Sequence, residues 1–219
     1  MVADSDESFA RMRNWRGLAP AERIATRRTQ LVEAATELMA TVGAAEISMR
    51  GVCRQAGLTE RYFYESFPNL EALLITVLET VVVGARDHLL DALTEAPIER
   101  EAMFRHVVAA FTDYLTEDPR RGRIMFVESQ ATPVLSQRGD ELIELFTAPI
   151  AMTIGAGDYR EPGPDHLDSV LNANAIFGAL AYLYRPWLNG AIDVPRERFD
   201  EHAARLLTAV ALVRSSDAK

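Results

Sequence analysis

Residues 48–67 read SMRGVCRQAGLTERYFYESF. Ser48 is a good N-cap, because its hydroxyl can accept from a backbone amide that the first helical turn leaves unpaired. Met49, Val52, Cys53 and Ala56 follow at three- and four-residue steps and mark one face of a short helix. Gly57 ends it, since glycine takes the left-handed cap conformation without a steric penalty. Thr59 is again a preferred N-cap; Leu58 before it and Phe63 four residues beyond have the spacing of a hydrophobic staple. Phe67 follows Phe63 one turn on, and Pro68 closes the second helix. Two short capped helices joined by a glycine turn have the spacing of a helix-turn-helix, whose second helix enters the major groove of DNA. The staple turns Phe63 and Phe67 inward. Glu60, Arg61 and Tyr64 then point outward, with Tyr62 and Glu65 on the flanks.

The segments on either side carry the same helical period. Upstream, Leu31, Ala34, Ala35, Leu38, Met39 and Val42 form one stripe of a helix that starts near Ala21 and stops at Gly43. Downstream, Asn69 caps a helix from Leu70 to about Ala92, Pro97 opens one to about Thr116, and Asp118-Pro119 opens a short one. Thr132-Pro133 opens a seventh to about Ile154. Gly155 to Pro164 reads as a loop, Asp165 to Leu188 as an eighth helix, and Pro195 to about Arg214 as a ninth. No alternating strand pattern persists. The expectation is an all-α chain of about nine helices: a partly disordered arm over 1–20, a helix-turn-helix domain over 21–68, and a helical effector-binding and dimerisation domain over 69–215.

Charge is unevenly spread along the 219 residues, whose net is −9. Residues 8–70 hold nine arginines and six glutamates, a net of +3, while the remainder beyond residue 70 holds 14 basic and 23 acidic residues. A mildly basic segment on an acidic body excludes a general nucleic-acid coat but suits a local DNA contact. The single cysteine, Cys53, excludes an intrachain disulfide and reads as a small core residue. The first nine residues lack the basic and apolar regions of a signal peptide, and no apolar run has the length of a membrane span, so a cytoplasmic chain without membrane contact is expected. There is no GxSxG, P-loop, GxGxxG or HExxH pattern. No enzyme activity, cofactor or metal is expected, and the histidines 88, 106, 166 and 202 form no ligand pair.

The run from Gly57 to Leu74, GLTERYFYESFPNLEALL, resembles the signature of the TetR family of regulators: glycine, an aliphatic residue, a small cap, an apolar-Tyr pair, a Phe, and a helix opening with Glu and closing on Leu-Leu. Ala34-Ala35, Leu38-Met39 and Gly43 fit the family's first helix, so the likeness covers about residues 24–75. It implies a ligand-responsive repressor that binds double-stranded DNA at a palindromic operator as a homodimer and is released by a small, largely apolar effector. Carried over residue by residue, the DNA contacts fall on Arg50, Thr59, Glu60, Arg61, Tyr62, Tyr64 and Glu65. Two departures stand out: Leu70 occupies a position where many members carry a phosphate-binding Lys, and Glu60 and Glu65 repel phosphates unless one accepts from a cytosine amino group. The arginines at 11, 13, 16, 23, 27 and 28 offer compensation along the backbone or minor groove.

The resemblance also implies a cavity in the body, for which Phe104, Phe111, Tyr114, Phe126, Glu128, Phe146, Asn174 and Phe177 are the candidate ligand contacts. Met103, Met125 and Met152, and the polar Arg105, His106 and Gln130, stand in the same helices. The eighth and ninth helices are apolar around much of their circumference. Ala173, Gly178, Ala181, Phe199, Leu206 and Val210 are expected in a two-fold four-helix interface. The competing readings are a helical-bundle enzyme and an adaptor without specific DNA binding; sequence-selective, salt-sensitive binding to DNA separates them from a regulator. Deleting residues 1–20 removes three of the arm's arginines. The expected outcome is a flatter dependence of log affinity on log salt, by about 0.9 for each phosphate no longer neutralised. An unchanged slope in a salt titration would show that the arm takes no part.

Overall fold

A computed structural model of the protein describes residues 20–156 and 163–215. The arm's first nineteen residues, with Arg11, Arg13 and Arg16, and most of the Gly- and Pro-rich loop lie outside the described residues. The helices are α1 (Pro20–Thr41), α2 (Met49–Ala56), α3 (Glu60–Ser66), α4 (Leu70–Glu95), α5 (Arg100–Glu117), α6 (Pro119–Phe126), α7 (Pro133–Leu142), α8 (Glu144–Gly155), α9 (His166–Leu188) and α10 (Arg196–Ala211). Two 3-10 turns, Ala44–Glu46 and Glu128–Gln130, complete the chain, and no strand occurs among the described residues. The expected nine helices are all present, the seventh as two segments, α7 and α8, that meet at Ile143.

Local chemistry sets most of the boundaries. Ser48 accepts from the Gly51 amide at 3.1 Å and Asn69 from the Ala72 amide at 2.8 Å. Gly57 ends α2 at φ +66° and Gly43 follows α1 at φ +97°, both in backbone space that favours glycine. Thr59 has the extended backbone of an N-cap, yet its hydroxyl makes no capping bond. The fifth helix opens at Arg100 rather than at Pro97. The Glu99 carboxylate accepts from the Glu101 and Ala102 amides at 2.9 and 2.8 Å, which fixes the start there and holds its pKa below the usual carboxylate range. Proline at 97 is left in the link, next to a fully exposed Ile98.

The amino-terminal core is built as the staple predicts. Phe63 and Phe67 are buried with Leu31, Ala35 and Met39 of α1 and Val52 of α2, and Leu58 packs at their edge. Cys53 is buried here, and burial pushes its thiol pKa up, against a reactive role. α4 leaves α3 at 59° and carries Leu73, Val77 and Leu78 from this core into the body. Leu70 packs against the same core, so the residue at the departing position is a packing residue.

In the body, α4, α5, α6, α9 and α10 close around an aromatic centre. Tyr184 of α9 is fully buried, with Phe111 and Phe199 edge-on at 5.0 and 4.9 Å between centroids. Trp187 stacks on Phe199 at 4.4 Å. The Tyr184 hydroxyl lies 2.7 Å from Thr112 Oγ1, and Thr112 donates to Asp200 at 2.6 Å, so the phenol is the donor in the first bond. A Phe63→Ala variant removes a fully buried ring and is expected to cost about 3–5 kcal/mol, read as a lowered denaturation midpoint. Tyr64→Ala, on the exposed side of the same helix, should stay within about 0.5 kcal/mol of the parent.

Candidate DNA interface and effector cavity

The outward face of α2 and α3 carries the residues expected to meet DNA, already engaged with one another. Arg50 is 82% exposed, and its Nε donates to Glu60 at 3.0 Å, across from α2 to α3. Arg61 is 85% exposed and donates to Glu65 at 3.1 Å, one turn along α3. Exposed pairs of this kind contribute only about 0–1 kcal/mol, so an incoming acceptor can displace the carboxylates. Thr59 and Tyr64 are exposed, and the Thr59 hydroxyl is uncommitted. Arg54 lies one turn from Arg50 on α2 and is exposed as well; its i+4 spacing was the signal that would have added it to the set.

Tyr62 and Glu65 serve a second purpose. Arg27 of α1 is only 8% exposed; its guanidinium donates to Glu65 at 3.0 Å and lies over the Tyr62 ring at 4.3 Å. Arg28 lies over the Phe67 ring at 4.0 Å and donates to the Ser66 carbonyl at 2.8 Å, at the end of α3. These two arginines, expected on the phosphate backbone, instead clamp α3 onto α1. Glu65 is held from both sides and half covered, which takes it out of the set free to approach a base.

Behind this unit the body holds a cavity of about 970 Å³, counted out to its open mouth. Phe104, Phe111, Phe126, Phe146 and Phe177 of the expected set line it, with Met103 and Met125. Among the described residues its wall is almost wholly apolar, with Arg86 as the one ionisable side chain other than the hydrogen-bonded Tyr184. Arg86 is itself bound to Asp87 at 2.6 Å. Three expected contacts lie elsewhere. Tyr114 donates to the Val81 carbonyl at 2.8 Å, beside Gly84. Asn174 is exposed and donates back to Val170 in its own helix. Glu128 reaches away from the cavity towards α1. Met152 is exposed, Arg105 is an exposed partner of Glu101, and His106 has a buried Nε2 without a hydrogen-bond partner among the described residues.

Residues 31–77 match the family model described as bacterial regulatory proteins, tetR family. Residues 31–77 thus form an amino-terminal segment of the tetR type. The HTH-type transcriptional regulator EthR of Mycolicibacterium smegmatis is 23% identical over 163 residues, covering 71% of this chain and 75% of that one. The solved structure of the fatty acid degradation regulator FadR from Bacillus halodurans superposes with a TM-score of 0.71 at 19% identity, covering 83% of this chain and 94% of that one. FadR from Bacillus subtilis, solved in complex with stearoyl-CoA, gives 0.68 at 19% identity, over 83% and 98%. α2 and α3, both inside the matched segment, form its helix-turn-helix. No single helix among the described residues is long and apolar enough to cross a membrane.

In the body, α6 and the turn after it face two ways. Met125 and Phe126 line the cavity. Arg120 of the same helix donates to Asp118 and, at 2.6 Å, to Glu33 of α1; the two carboxylates push its pKa further up, and the guanidinium in turn pulls that of Asp118 down. Glu128, 4% exposed, accepts from the Ala44 amide at 2.7 Å and from Arg123 at 3.1 Å. Cavity wall and amino-terminal unit are therefore joined through one short element.

The expected interface residues divide. Ala173 and Phe199 are buried within the monomer, Phe199 under Trp187, and Ala181 lines the cavity; none of the three offers an outer face. Leu206 and Val210 are half-buried, and Val210 packs against an inner cluster around Phe104 and Ile176. Around Gly178 there is open space. Leu167, Leu171, Ala175, Gly178 and Tyr182 recur at three- and four-residue steps along α9 as an outward strip, with Tyr182 83% exposed.

Glu128→Ala leaves the Ala44 amide buried without its acceptor and is expected to cost about 1–3 kcal/mol. Glu128→Gln, which keeps an acceptor oxygen, should lose less. Urea denaturation of the three proteins checks the order, and equal stabilities would show that this bond carries no net weight.

Proposed function

We propose that the chain is a repressor that binds a palindromic operator as a homodimer and is released by a small, largely apolar effector in the body cavity. The observation that carries this reading is the near-absence of polar groups on the cavity wall beside Met125 and Phe126, on the element that also grips α1 and Ala44. An effector can shift the equilibrium only by binding the DNA-free arrangement better than the DNA-bound one. Filling the cavity displaces α6, and with it the Arg120 and Glu128 contacts that set the tilt of α1–α3. The FadR relative bound to stearoyl-CoA supports an effector with a long apolar part.

On DNA, Arg50 and Arg61 exchange Glu60 and Glu65 for base edges or phosphates, while Thr59, Tyr64 and Arg54 donate to the backbone. Tyr62, backed by Arg27, holds the start of α3 in place at the groove. The α9 strip supplies the dimer contact, because a two-fold protein matches a palindrome with half-sites about 34–36 Å apart. Gly178 lies at its centre, where a side chain meets nothing in the monomer.

Binding of the full chain to its own upstream DNA, with scrambled DNA as control, tests the reading. Arg61→Ala or Arg50→Ala is expected to weaken specific binding by about 1–3 kcal/mol, with a smaller loss on scrambled DNA. Glu60→Gln should tighten both, since it removes a negative charge from the phosphate-facing side. Gly178→Gln should leave the fold intact and break the dimer and operator affinity together, seen by light scattering and gel shift. A monomeric Gly178→Gln protein that still binds the full palindrome as tightly as the parent would overturn the dimer model.

A further inference from the structure

A second cavity, of about 940 Å³ to its open mouth, lies between α6, the 128–130 turn, α7 and α9. It shares a wall with the first: Met125, Phe126, Phe146, Phe177 and Ala181 line both. Phe126 is held in that wall by Phe111 and Tyr184, edge-on at 6.5 Å and stacked at 6.1 Å. The other large members are less constrained. Among the described residues, Phe146 and Phe177 have only each other as ring neighbours, at 5.9 Å, and Met125 is of a flexible side-chain type. A change of rotamer at Phe146 or Phe177, which both cavities share, would open one space to the other.

The chambers differ in chemistry. In the first, a charged group would be stranded: Arg86 is already neutralised by Asp87, through Nε at 2.9 Å and Nη2 at 2.6 Å, and an unpaired charge in an apolar wall is strongly disfavoured. The second holds Arg185, whose side chain makes no ion pair or hydrogen bond among the described residues. Gln130 lines it too; its carbonyl is committed to the Ser136 hydroxyl at 2.9 Å, which leaves its amide hydrogens free to donate. Asp140 lines the same space and disfavours a head group with several negative charges.

We propose that the effector is a single-chain amphiphile with a singly charged carboxylate head, its hydrocarbon chain in the apolar chamber and its carboxylate on Arg185 and Gln130 in the second. This rests on the effector-released reading above and specifies its ligand. The carboxylate gains a charge-assisted bidentate partner in Arg185 that the first chamber lacks. Tyr182 lines this chamber and ends the outward strip of α9, so the bound head group sits beside the proposed dimer contact.

Calorimetric titration of the full-length chain with hexadecanoate, hexadecanol and palmitoyl-CoA tests this without reference to DNA. The parent should bind hexadecanoate more tightly than either of the others. Arg185→Gln should weaken hexadecanoate about tenfold or more while leaving hexadecanol within about twofold. Arg86→Gln should leave the ratio of the two unchanged. Equal losses for acid and alcohol, a charge preference that follows Arg86, or tighter binding of palmitoyl-CoA than of hexadecanoate would each overturn the proposal. A gel shift with the upstream DNA, run separately, distinguishes the failures: hexadecanoate bound in the expected pattern without any operator binding would sink the regulator reading and leave the two-chamber site standing.

Discussion

A buried carboxylate needs partners for its oxygens, and Glu128 finds them on two sides of the molecule. The Ala44 amide comes from the turn after α1, reached across Gly43 in its left-handed conformation; the Arg123 guanidinium comes from α6. Neither partner can be withdrawn cheaply, since the charge is shut off from water. The position of the helix-turn-helix relative to the body is thereby tied to α6, and α6 is tied to the cavity through Met125 and Phe126. Gly122 on the same helix meets Leu188 so closely that a Cβ there would fall 2.5 Å from its Cδ1, which seats α6 tightly against the end of α9. Movement of the cavity wall is therefore shared by α1, α6 and α9 rather than absorbed locally.

The helix-turn-helix was legible because its signals are local. Ser48, Gly57, Leu58, Phe63, Phe67 and Pro68 each report on a neighbour within a few residues, and caps, staple and stop agree. Boundaries in the body were legible where a cap and a proline coincide, as at Asp118-Pro119 and Thr132-Pro133. They were misplaced where a longer side chain competed, as with Glu99 against Pro97. The aromatic lining of the cavity could be read as apolar faces of amphipathic helices. Periodicity could not tell which faces of α9 and α10 turn inward, so Ala173 of α9 and Phe199 of α10 were expected outside and are inside, while Leu167, Leu171 and Tyr182 of α9 are the exposed set.

The arginines show the other limit of sequence reading. Composition counts Arg27 and Arg28 with the basic residues of the amino-terminal segment, yet both are used within the fold. Each lies over an aromatic ring of the α3 unit, and each satisfies an acceptor there. Those contacts, the two hydrogen bonds spanning 38 positions each, are invisible to any local pattern. The same holds for Glu128, which lies 84 residues from its amide partner; its charge suggested a ligand contact when its chemistry serves the joint between the two parts.

The Arg50–Glu60 and Arg61–Glu65 pairs make the proposed reading surface close to neutral while it is empty. On the reading proposed above, such a surface joined to a body of net negative charge would attract arbitrary DNA only weakly. Association then depends on partner exchange: a guanidinium leaves its carboxylate only when a site offers acceptors at least as well placed. On that reading, occupancy of the correct site would be governed by how well bases and phosphates outcompete two glutamates, and discrimination against other DNA would be built into the unbound protein.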